Sequence, residues 1–487
     1  MSSIVNSPSP VHEPTAPDRP NARRWLALPV VLAGTFMTIL DFFIVNVAIP
    51  SAQADLHANA AEVQFVVAGY GLAYAAGLIT GGRLGDLYGR RRLFAVGLVA
   101  FTLASAACGL APTAVALVVF RAIQGASAAL MFPQVLSILN VAYTGEDRPR
   151  AFMGLGMTIG LASVSGQVVG GLLIGANVFG LSWRSCFLIN VPVGIAALAA
   201  LRPLVPESRS DSARRLDLAG VAIVTPGLLL LLVPLVVGRQ TGWPVWSWAC
   251  LAASAVVLAL FARHQVWLSG RGGTPLVAPV LFTERAFVTG LATVLVVYAG
   301  MASFFLVFAL YLQEGLHYAA LTSGLIFMPC GVSFFLVSMA APKLTRRIGR
   351  RTLTAGAIVL GAAEIAMALL ADGTPARPNV ALLSGLMFVA GAGMGAMGAP
   401  LLSQVLLGVD PSHAGSASGV LSTTQQLAGA LGVAFIGIIF YGVLGGSGRY
   451  GHSFAASLSY TIALAALTAL VTAPNRLWKK PALPSGA

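Results

Sequence analysis

Long apolar runs separated by short polar loops dominate this sequence of 487 residues. A helix needs about 20 apolar residues to cross the hydrocarbon core of a bilayer. Runs of that length lie near residues 25–50, 62–82, 93–111, 115–140, 152–174, 185–204, 217–237, 246–267, 286–312, 321–341, 352–371, 379–407, 417–441 and 455–473. Only 9% of the residues are charged, against about a quarter in an average soluble domain. The sequence therefore predicts an all-α polytopic membrane protein with fourteen transmembrane helices.

The positions of the basic residues give this arrangement an orientation. With the N-terminus in the cytoplasm, 24 of the 29 Lys and Arg residues fall in the tails and in loops on the inner side. Four fall on the outer side, and Arg121 lies within a predicted span. Because Lys and Arg concentrate in cytoplasmic loops, we expect both termini in the cytoplasm and the chain in the cell membrane. The net charge of +13 is then an orientation signal and not a sign of nucleic-acid binding.

Several classes of site find no support in the sequence. The cysteines Cys108, Cys186, Cys250 and Cys330 lie far apart in apolar runs, which argues against a disulfide framework or a metal site. The six histidines are equally dispersed, and no phosphate-binding G-x-x-x-x-G-K-[ST] loop occurs. We therefore expect no cofactor, no metal and no enzymatic activity, and any transport would draw its energy from an ion gradient.

Two short loops suggest that the chain contains an internal repeat. "GRLGDLYGRRRLF" (82–94) and "PKLTRRIGRRTL" (342–353) share Leu, Gly, Arg, Arg and Leu at a constant offset of 260 residues. Repeats of this kind are common in secondary transporters. The predicted organisation is a disordered cytoplasmic tail (1–24), a six-helix bundle (25–204), a linker region with two interposed helices (205–284), a second six-helix bundle (285–475) and a cytoplasmic tail (476–487).

Five stretches of the sequence resemble motifs of the major facilitator superfamily. "GRLGDLYGRRR" (82–92) resembles its G-x-L-[AG]-D-x-x-G-[RK]-[RK] loop, and "RAIQGASAA" (121–129) resembles its R-A-x-Q-G motif. "LDFFIVNVAIP" (40–50) is similar to a stretch specific to the fourteen-helix drug:proton antiporters, as are "WRSCFLINVPVG" (183–194) and "LDLAG" (216–220). The resemblance covers roughly residues 25–475 and implies a multidrug or antibiotic exporter.

Two opposite charges are predicted at similar depth in the membrane. Asp41 lies nine residues before Pro50, and Arg121 lies six residues into its helix. These spacings correspond to roughly 13 and 9 Å from the outer ends of the two helices. Because an unpaired charge in a membrane span is costly, we expect the two side chains to pair directly or through water. The pair either holds two helices together permanently or opens when Asp41 takes up a proton, and the resemblance implies proton coupling at these positions. Glu364, near mid-depth in its span, is either a second proton site or a buried acid kept neutral.

The resemblance also assigns a role to the loop at 82–92. In the family this loop latches the two halves on the cytoplasmic side. The resemblance implies that role for six residues of this chain, Gly82, Gly85, Asp86, Gly89, Arg90 and Arg91. Asp86 can accept hydrogen bonds from a helix N-terminus or from an arginine. The second copy carries Arg346 where the first carries Asp86. We therefore predict that the second latch is weaker or absent.

The fifth predicted helix departs from the family pattern. Exporters of this family show G-x-x-x-G-P-x-x-G-G where this chain has "ASVSGQVVGG" (162–171), so Ala162 replaces a glycine and Gln167 replaces the proline. Gly166, Gly170 and Gly171 match. Gly166 and Gly170 form a GxxxG face that allows close helix packing, and the missing proline predicts a reduced kink.

The polar and aromatic residues of the spans suggest a lining for a substrate cavity. Thr35, Thr38 and Asp41 share one helix face, which is a candidate polar lining. Asn46 does not share that face and either bonds a neighbouring helix or contacts substrate. The candidate cavity residues are Thr38, Asn46, Gln124, Tyr298 and Tyr311.

The function that fits these features is proton-coupled export of amphipathic small molecules, drugs or antibiotics by alternating access. We expect a monomer whose partners are a small-molecule substrate, protons and the lipid bilayer, without nucleic acid. A transporter of the same fold that works in uptake or as a uniporter is the alternative. A sensor or an intramembrane enzyme would need a soluble domain or a cluster of His, Glu and Asp within the spans, and the sequence offers neither.

Overall fold

The computed structural model of the chain describes residues 22–177, 180–209, 216–238, 242–318, 320–349, 351–373 and 379–473. Both predicted tails fall largely outside these ranges. Within them the chain is built from fifteen α-helices. They are α1 (Ala22–Leu56), α2 (Ala60–Tyr88), α3 (Arg90–Gly109), α4 (Ala114–Ala142), α5 (Asp147–Ala176), α6 (Ser185–Leu188), α7 (Asn190–Leu204), α8 (Leu218–Val237), α9 (Val245–Gly270), α10 (Arg285–Leu310), α11 (Ala320–Ile348), α12 (Arg351–Gly373), α13 (Val380–Val405), α14 (Ala414–Ser447) and α15 (Tyr450–Thr472).

The helices match the predicted spans in number. Thirteen helical segments of the described chain are long and apolar enough to cross a membrane, and the bent helix α5 makes up to fourteen. The short helix α6 continues into α7, so that residues 182–204 form one span. The predicted all-α polytopic membrane fold is confirmed. The interposed pair appears as α8 and α9 despite Pro226 and Pro234 inside α8.

Polar residues at the loops set where several helices begin. Asn59 and Glu62 form a reciprocal capping box at the start of α2, with both hydrogen bonds 2.9 Å long. The Thr113 hydroxyl accepts from the backbone N–H of Ala116 at the start of α4. These side chains satisfy backbone donors that the first helical turn leaves without partners.

The helices pack in two groups with matching neighbours. In the first group α2 packs on α4, α1 on α5 and α3 on α4. In the second group α11 packs on α13, α10 on α14 and α12 on α13. The groups meet through α2 against α14 and α5 against α11, and α8 and α9 pack on each other, with α8 also contacting α2 and α14.

Two local predictions about helix shape are wrong. Helix α1 continues through Pro50 to Leu56, where the sequence suggested an end near Pro50. Helix α5 is bent by 40° between residues 147–163 and 168–176, although no proline lies there. The Ser163 hydroxyl donates to the Ile159 carbonyl one turn back (2.8 Å), a contact that bends helices. The loss of the proline therefore does not straighten this helix.

Candidate functional site

Asp41 and Arg121 form an ion pair in the core of the first helix group. The Arg121 Nη1 atom donates to Asp41 Oδ2 in a short, charge-assisted hydrogen bond. Both side chains are fully buried. A buried pair of this kind is strongly destabilised when one partner is removed, because the other charge is then left uncompensated.

Three neutral side chains complete the surroundings of the acid. Gln124 Nε2 donates to Asp41 Oδ1 at 2.8 Å, and Asn190 Nδ2 donates to the same oxygen at 3.2 Å. The Ser105 hydroxyl accepts from both amides, at 3.1 and 3.0 Å, and donates to the Phe187 carbonyl. Helices α1, α3, α4 and α7 therefore meet at one buried carboxylate, and we call Asp41, Arg121, Gln124, Ser105 and Asn190 the acid cluster.

Arg121 is fixed by contacts from two helices. Its Nε atom donates to the Val66 carbonyl of α2 at 3.1 Å, and its Nη1 atom also donates to Gln124 Oε1 at 2.8 Å. The guanidinium carbon lies 4.4 Å from the centre of the Tyr70 ring, a distance at which the ring attracts a cation. The arginine is thus held by Asp41 and by groups that stay in place if Asp41 becomes neutral.

Glycines next to the cluster allow the helices to approach it. A Cβ atom on Gly125 would lie 2.1 Å from the Tyr70 carbonyl oxygen, so α4 contacts α2 directly beside Gln124.

On α5, Cβ atoms on Gly166 and Gly170 would lie 2.7 and 2.8 Å from side-chain atoms of Phe43 and Ile44. The GxxxG face of α5 therefore packs closely on α1 at the level of Asp41, as such faces do in membranes. Gly171 faces open space.

The acid cluster is closed to solvent in this conformation. Asp41, Arg121, Gln124 and Ser105 are 0% exposed. No group of three or more His, Cys, Asp or Glu side chains suited to a metal ion occurs in the described part of the chain. The arrangement can hold a proton or a charge, and exchange with solvent requires the helices to move.

A second cluster joins the two helix groups at the loop between α2 and α3. The carboxylate of Asp86 accepts from the backbone N–H groups of Gly415 and Ser416, both at 3.0 Å, at the start of α14. Helix N-termini favour negative charge at this position. Arg90 Nη2 donates to Asp86 at 2.9 Å and to the Pro411 carbonyl at 2.7 Å. Asp86 and Arg90 are almost fully buried.

The other residues of this loop shape the contact. A Cβ atom on Gly82 would lie 2.2 Å from the Gly415 carbonyl, and one on Gly85 would overlap the Gln134 amide. Gly89 has a φ of +100° and separates α2 from α3. Arg91 donates to the Val205 carbonyl at 3.1 Å, behind the interface. Hydrogen bonds that join the two halves cluster at this end of the bundle, with further examples from Ser137 and Arg148.

The second copy of the loop makes a different contact. Arg346 Nη2 lies 2.8 Å from Glu146, the residue just before α5, and the two side chains are 51% and 78% exposed. Arg350 of the repeat lies outside the described residues.

The predicted cavity residues do not form one site. Thr38 is buried, and its hydroxyl donates within α1 to the Gly34 carbonyl, while Gln124 belongs to the acid cluster. Tyr311 is buried and stacks on Phe454 with ring centres 4.4 Å apart, inside the second group.

Tyr298 is half-buried and lies near Tyr74 of α2 and Gln425 of α14. The side chains of Asn46 and Gln167 lie outside the described part of the structure.

Glu364 is buried at the contact of α12 with α15. It is 1% exposed, and neither carboxyl oxygen has a hydrogen bond of normal geometry within the described residues. Thr461 of α15 lies nearby, but its hydroxyl donates to the Leu458 carbonyl at 3.0 Å. Glu364 therefore forms no ion pair within the described residues, in contrast to Asp41.

Ser105 and Asn190 are the members of the acid cluster that the sequence reasoning missed. Asn190 lies within the quoted stretch 183–194, and Ser105 lies in an apolar span three residues after Thr102. The available signal was a polar side chain inside a membrane span, which needs a partner there. That signal does not say which partner, because Asn190 on α7 contacts Asp41 on α1 and Ser105 on α3, which lie 149 and 85 residues away in the sequence.

Comparison with known proteins assigns the chain to a family. Residues 31–433 match the model of the Major Facilitator Superfamily. The chain belongs to this superfamily. It is 39% identical over 461 residues to the probable actinorhodin transporter of Streptomyces coelicolor, covering 94% of this chain and 79% of that protein.

Other relatives of this major facilitator protein are named for resistance or export. It is 34% identical to the puromycin resistance protein pur8 of Streptomyces alboniger, with 93% of this chain and 90% of that protein covered. It is also 34% identical to the cephamycin export protein CmcT of Amycolatopsis lactamdurans, with 92% and 93% covered. The chain is thus a multi-pass membrane transporter whose relatives are drug exporters.

Solved structures of the superfamily share its fold. The human organic anion transporter MFSD10 aligns with a TM-score of 0.64 at 16% identity, covering 93% of this chain and 100% of that chain. The proton:xylose symporter XylE aligns with a TM-score of 0.64 at 18% identity, covering 92% and 95%. At these identities the likeness concerns the fold alone.

Proposed function

We propose that this protein is a proton-coupled exporter of amphipathic small molecules in the cell membrane, with both termini in the cytoplasm. The observation that carries the proposal is the acid cluster, in which one carboxylate and one arginine pair within a membrane-embedded core. The names of the relatives, which concern actinorhodin, puromycin and cephamycin, favour export of antibiotics. The protein works as a monomer, and its partners are a small molecule and protons.

In this mechanism Asp41 carries the proton and Arg121 tunes it. Protonation neutralises the carboxylate and removes most of its attraction for Arg121, whose remaining contacts hold it on α2 and α4. The contact between α1 and α4 then weakens and the helices can rearrange. Since the acid is occluded in the present conformation, proton uptake and release take place in other conformations of the transport cycle.

The contact of Asp86 with the start of α14 acts as the cytoplasmic latch. Asp86 and Arg90 together occupy two backbone N–H groups and one carbonyl of the opposite half. With the latch formed, the predicted cytoplasmic side is closed. Access from the cytoplasm requires these hydrogen bonds to break, which is the step that lets substrate enter for export.

The substrate site of the proposal lies between the halves, where Tyr74, Tyr298 and Gln425 come together. Tyrosine rings combine a large apolar face with a polar hydroxyl, which suits molecules that are themselves amphipathic. Thr38 and Tyr311, which are buried within their own halves, are left out of this site.

The test is substrate-evoked proton release from inside-out vesicles that contain the protein and a preset pH gradient. A panel of lipophilic antibiotics should dissipate the gradient with the wild type and not with Asp41→Asn. Asp55→Asn is the matched control, because Asp55 also lies on α1 but is 47% exposed and pairs with Arg184 outside the acid cluster. We expect Asp55→Asn to keep proton release.

Survival of proton release in Asp41→Asn would contradict the role of Asp41 and direct attention to Glu364, which is either a second proton site or an acid kept neutral. The same vesicles distinguish the alternative of uptake or uniport. Labelled substrate that accumulates in inside-out vesicles against its gradient indicates export. Equilibration without accumulation indicates a uniporter.

A further inference from the structure

Asn190 makes a contact with Asp41 that the transport proposal does not use. It is the first residue of α7 and is 1% exposed. Its Nδ2 atom donates to Asp41 Oδ1 at 3.2 Å and to the Ser105 hydroxyl oxygen at 3.0 Å. Its Oδ1 atom is buried and has no hydrogen-bond partner within the described residues.

A buried carbonyl without a partner is an exception that needs a reason. Such a group forfeits the hydrogen bond that it had in water, and most buried polar atoms in proteins avoid this. The orientation of the Asn190 amide is nevertheless the one that suits a charged Asp41, since both groups facing Nδ2 are acceptors. The unpaired oxygen is therefore a consequence of serving the deprotonated acid.

The neighbouring amide of Gln124 has no such freedom. Its Oε1 atom accepts from Arg121 Nη1 at 2.8 Å, and its Nε2 atom donates to Asp41 Oδ1 and to Ser105. Turning this amide would place Nε2 against the donors of Arg121. Gln124 is thus held as a permanent donor to Asp41. The Asn190 amide can turn, because its Oδ1 atom has no partner among the described residues.

The two oxygens of Asp41 also differ. Oδ2 faces Arg121, which is always a donor, whereas Oδ1 faces the two neutral amides. A proton on Oδ2 would point at the N–H groups of Arg121. A proton on Oδ1 can find an acceptor if one of the amides turns.

We propose that Asn190 is a positioning residue for the proton on Asp41. Rotation of its carboxamide about the Cβ–Cγ bond exchanges Nδ2 and Oδ1, so that Oδ1 accepts the O–H of Asp41 after protonation at its own Oδ1. The proton comes from solvent and stays on Asp41, and no covalent bond of Asn190 changes. This inference rests on the proposed role of Asp41 as the proton carrier.

The rotation keeps Asp41 Oδ1 hydrogen-bonded to Asn190 in both states. With Asp41 charged, Asn190 donates to it, and with Asp41 neutral, Asn190 accepts from it. Ser105 loses the donor Nδ2 but retains the one from Gln124, and its O–H turns from the Phe187 carbonyl to the Asn190 Oδ1 atom that now faces it. Proton binding therefore proceeds without leaving the new O–H unpaired in an apolar core.

The experiment is pH-induced infrared difference spectroscopy of the full chain in liposomes. A carbonyl stretching band of a protonated carboxyl should appear on acidification and be absent in Asp41→Asn. In Asn190→Leu this band should move to higher frequency, as for a carboxyl without an acceptor. In Asn190→Thr, whose hydroxyl can donate or accept, it should stay close to the wild-type position.

Asn140→Leu is the matched control. Asn140 is also a buried asparagine with an unpartnered Oδ1, but it lies sixteen residues beyond Gln124 on α4, roughly 24 Å along the helix. This variant should leave the Asp41 band unmoved. In vesicles, Asn190→Leu should slow proton-coupled transport roughly tenfold, the loss expected for one hydrogen bond to a buried ionisable group.

The outcomes separate this inference from the proposed function. Absence of any wild-type band that depends on Asp41 would overturn the proton-carrying role itself. A band that depends on Asp41 but does not move in Asn190→Leu would overturn the role of Asn190 alone. If the leucine variant fails to fold, the wild type labelled with [13C]asparagine decides the matter. An amide carbonyl band that shifts to lower frequency at the pH midpoint of the Asp41 band, and is lost in Asn190→Thr, supports the rotation, and a constant amide band overturns it.

Discussion

The two helix groups share their packing but treat their buried acids differently. Asp41 in the first group has an arginine and two amides around its carboxylate. Glu364 in the second is equally buried but has no hydrogen bond of normal geometry to any described residue. The two loops that repeat at an offset of 260 residues also differ, because the charged residue is buried in the first loop and exposed in the second. Asp86 is buried against a helix N-terminus, and Arg346 forms an exposed pair with Glu146.

The difference shows how a repeated scaffold acquires separate tasks. Backbone packing depends on small residues and apolar faces, which both halves retain. A charge network depends on a few polar side chains, and these can be changed in one half without disturbing the packing of the other. In this protein the first half has the buried partners on which the proposed proton switch and the proposed latch depend.

The largest expected effect concerns the partner of Asp41. Arg121→Met should destabilise the fold by about 3–5 kcal/mol, because it leaves a carboxylate buried without its counter-charge. The measurement is the thermal unfolding midpoint of the purified protein in detergent. The double variant Asp41→Asn/Arg121→Met should recover most of the lost stability while remaining unable to couple transport to protons. A double variant no more stable than Arg121→Met would contradict the idea that the unpaired charge is the cause.

Much of the fold could be predicted because the membrane simplifies the problem. A span must satisfy its backbone internally and present apolar side chains, so the runs of apolar residues marked the helices to within a few residues. The depth of Asp41 and Arg121 followed from helical rise alone. The continuation of α1 past Pro50 and the bend of α5 at Ser163 did not, since both depend on local hydrogen bonds and on neighbouring helices.

The lateral arrangement of the helices was the main information that the sequence lacked. Ser105 and Asn190 reach Asp41 because α3 and α7 pack next to α1 and α4, and periodicity does not say which helices are neighbours. For the same reason Thr38 and Tyr311 looked suitable for a cavity but point into their own halves. Asp86 was easier to interpret, because a lone acid in this loop was expected to accept from a helix N-terminus or from an arginine, and it accepts from both.

The latch should show the next largest effect. Asp86→Asn removes the charge that faces the start of α14 and Arg90, and we expect a loss of about 1.5–3 kcal/mol from the latched conformation, the range for hydrogen bonds to charged groups. That corresponds to roughly a tenfold or greater shift toward conformations open on the latch side. Distance measurements by spin labels on α2 and α14 would report it. An unchanged distance distribution would mean that apolar packing alone holds this end closed.

Replacement of Glu364 should not destabilise the protein, in contrast to replacement of Arg121. Replacing a buried polar group without hydrogen bonds by an apolar one of similar size is often neutral or stabilising. Glu364→Met should therefore keep or raise the thermal unfolding midpoint, by up to about 1 kcal/mol in the free energy of unfolding. Proton-coupled transport decides between the two roles left open for this acid. A stable variant with normal coupling identifies Glu364 as an acid kept neutral, and a stable variant without coupling identifies it as a second proton site.

The smallest effect belongs to the pair formed by the second copy of the loop. Arg346 and Glu146 are both more than half exposed, and exposed ion pairs contribute about 0–1 kcal/mol. Glu146→Gln should therefore leave the distance between α5 and α11 unchanged and have little effect on transport. Because this substitution is the same chemical change as Asp86→Asn, the two variants form a matched test of burial. A response of Glu146→Gln as large as that of Asp86→Asn would mean that both loops latch, and that the asymmetry between the halves lies only in their acids.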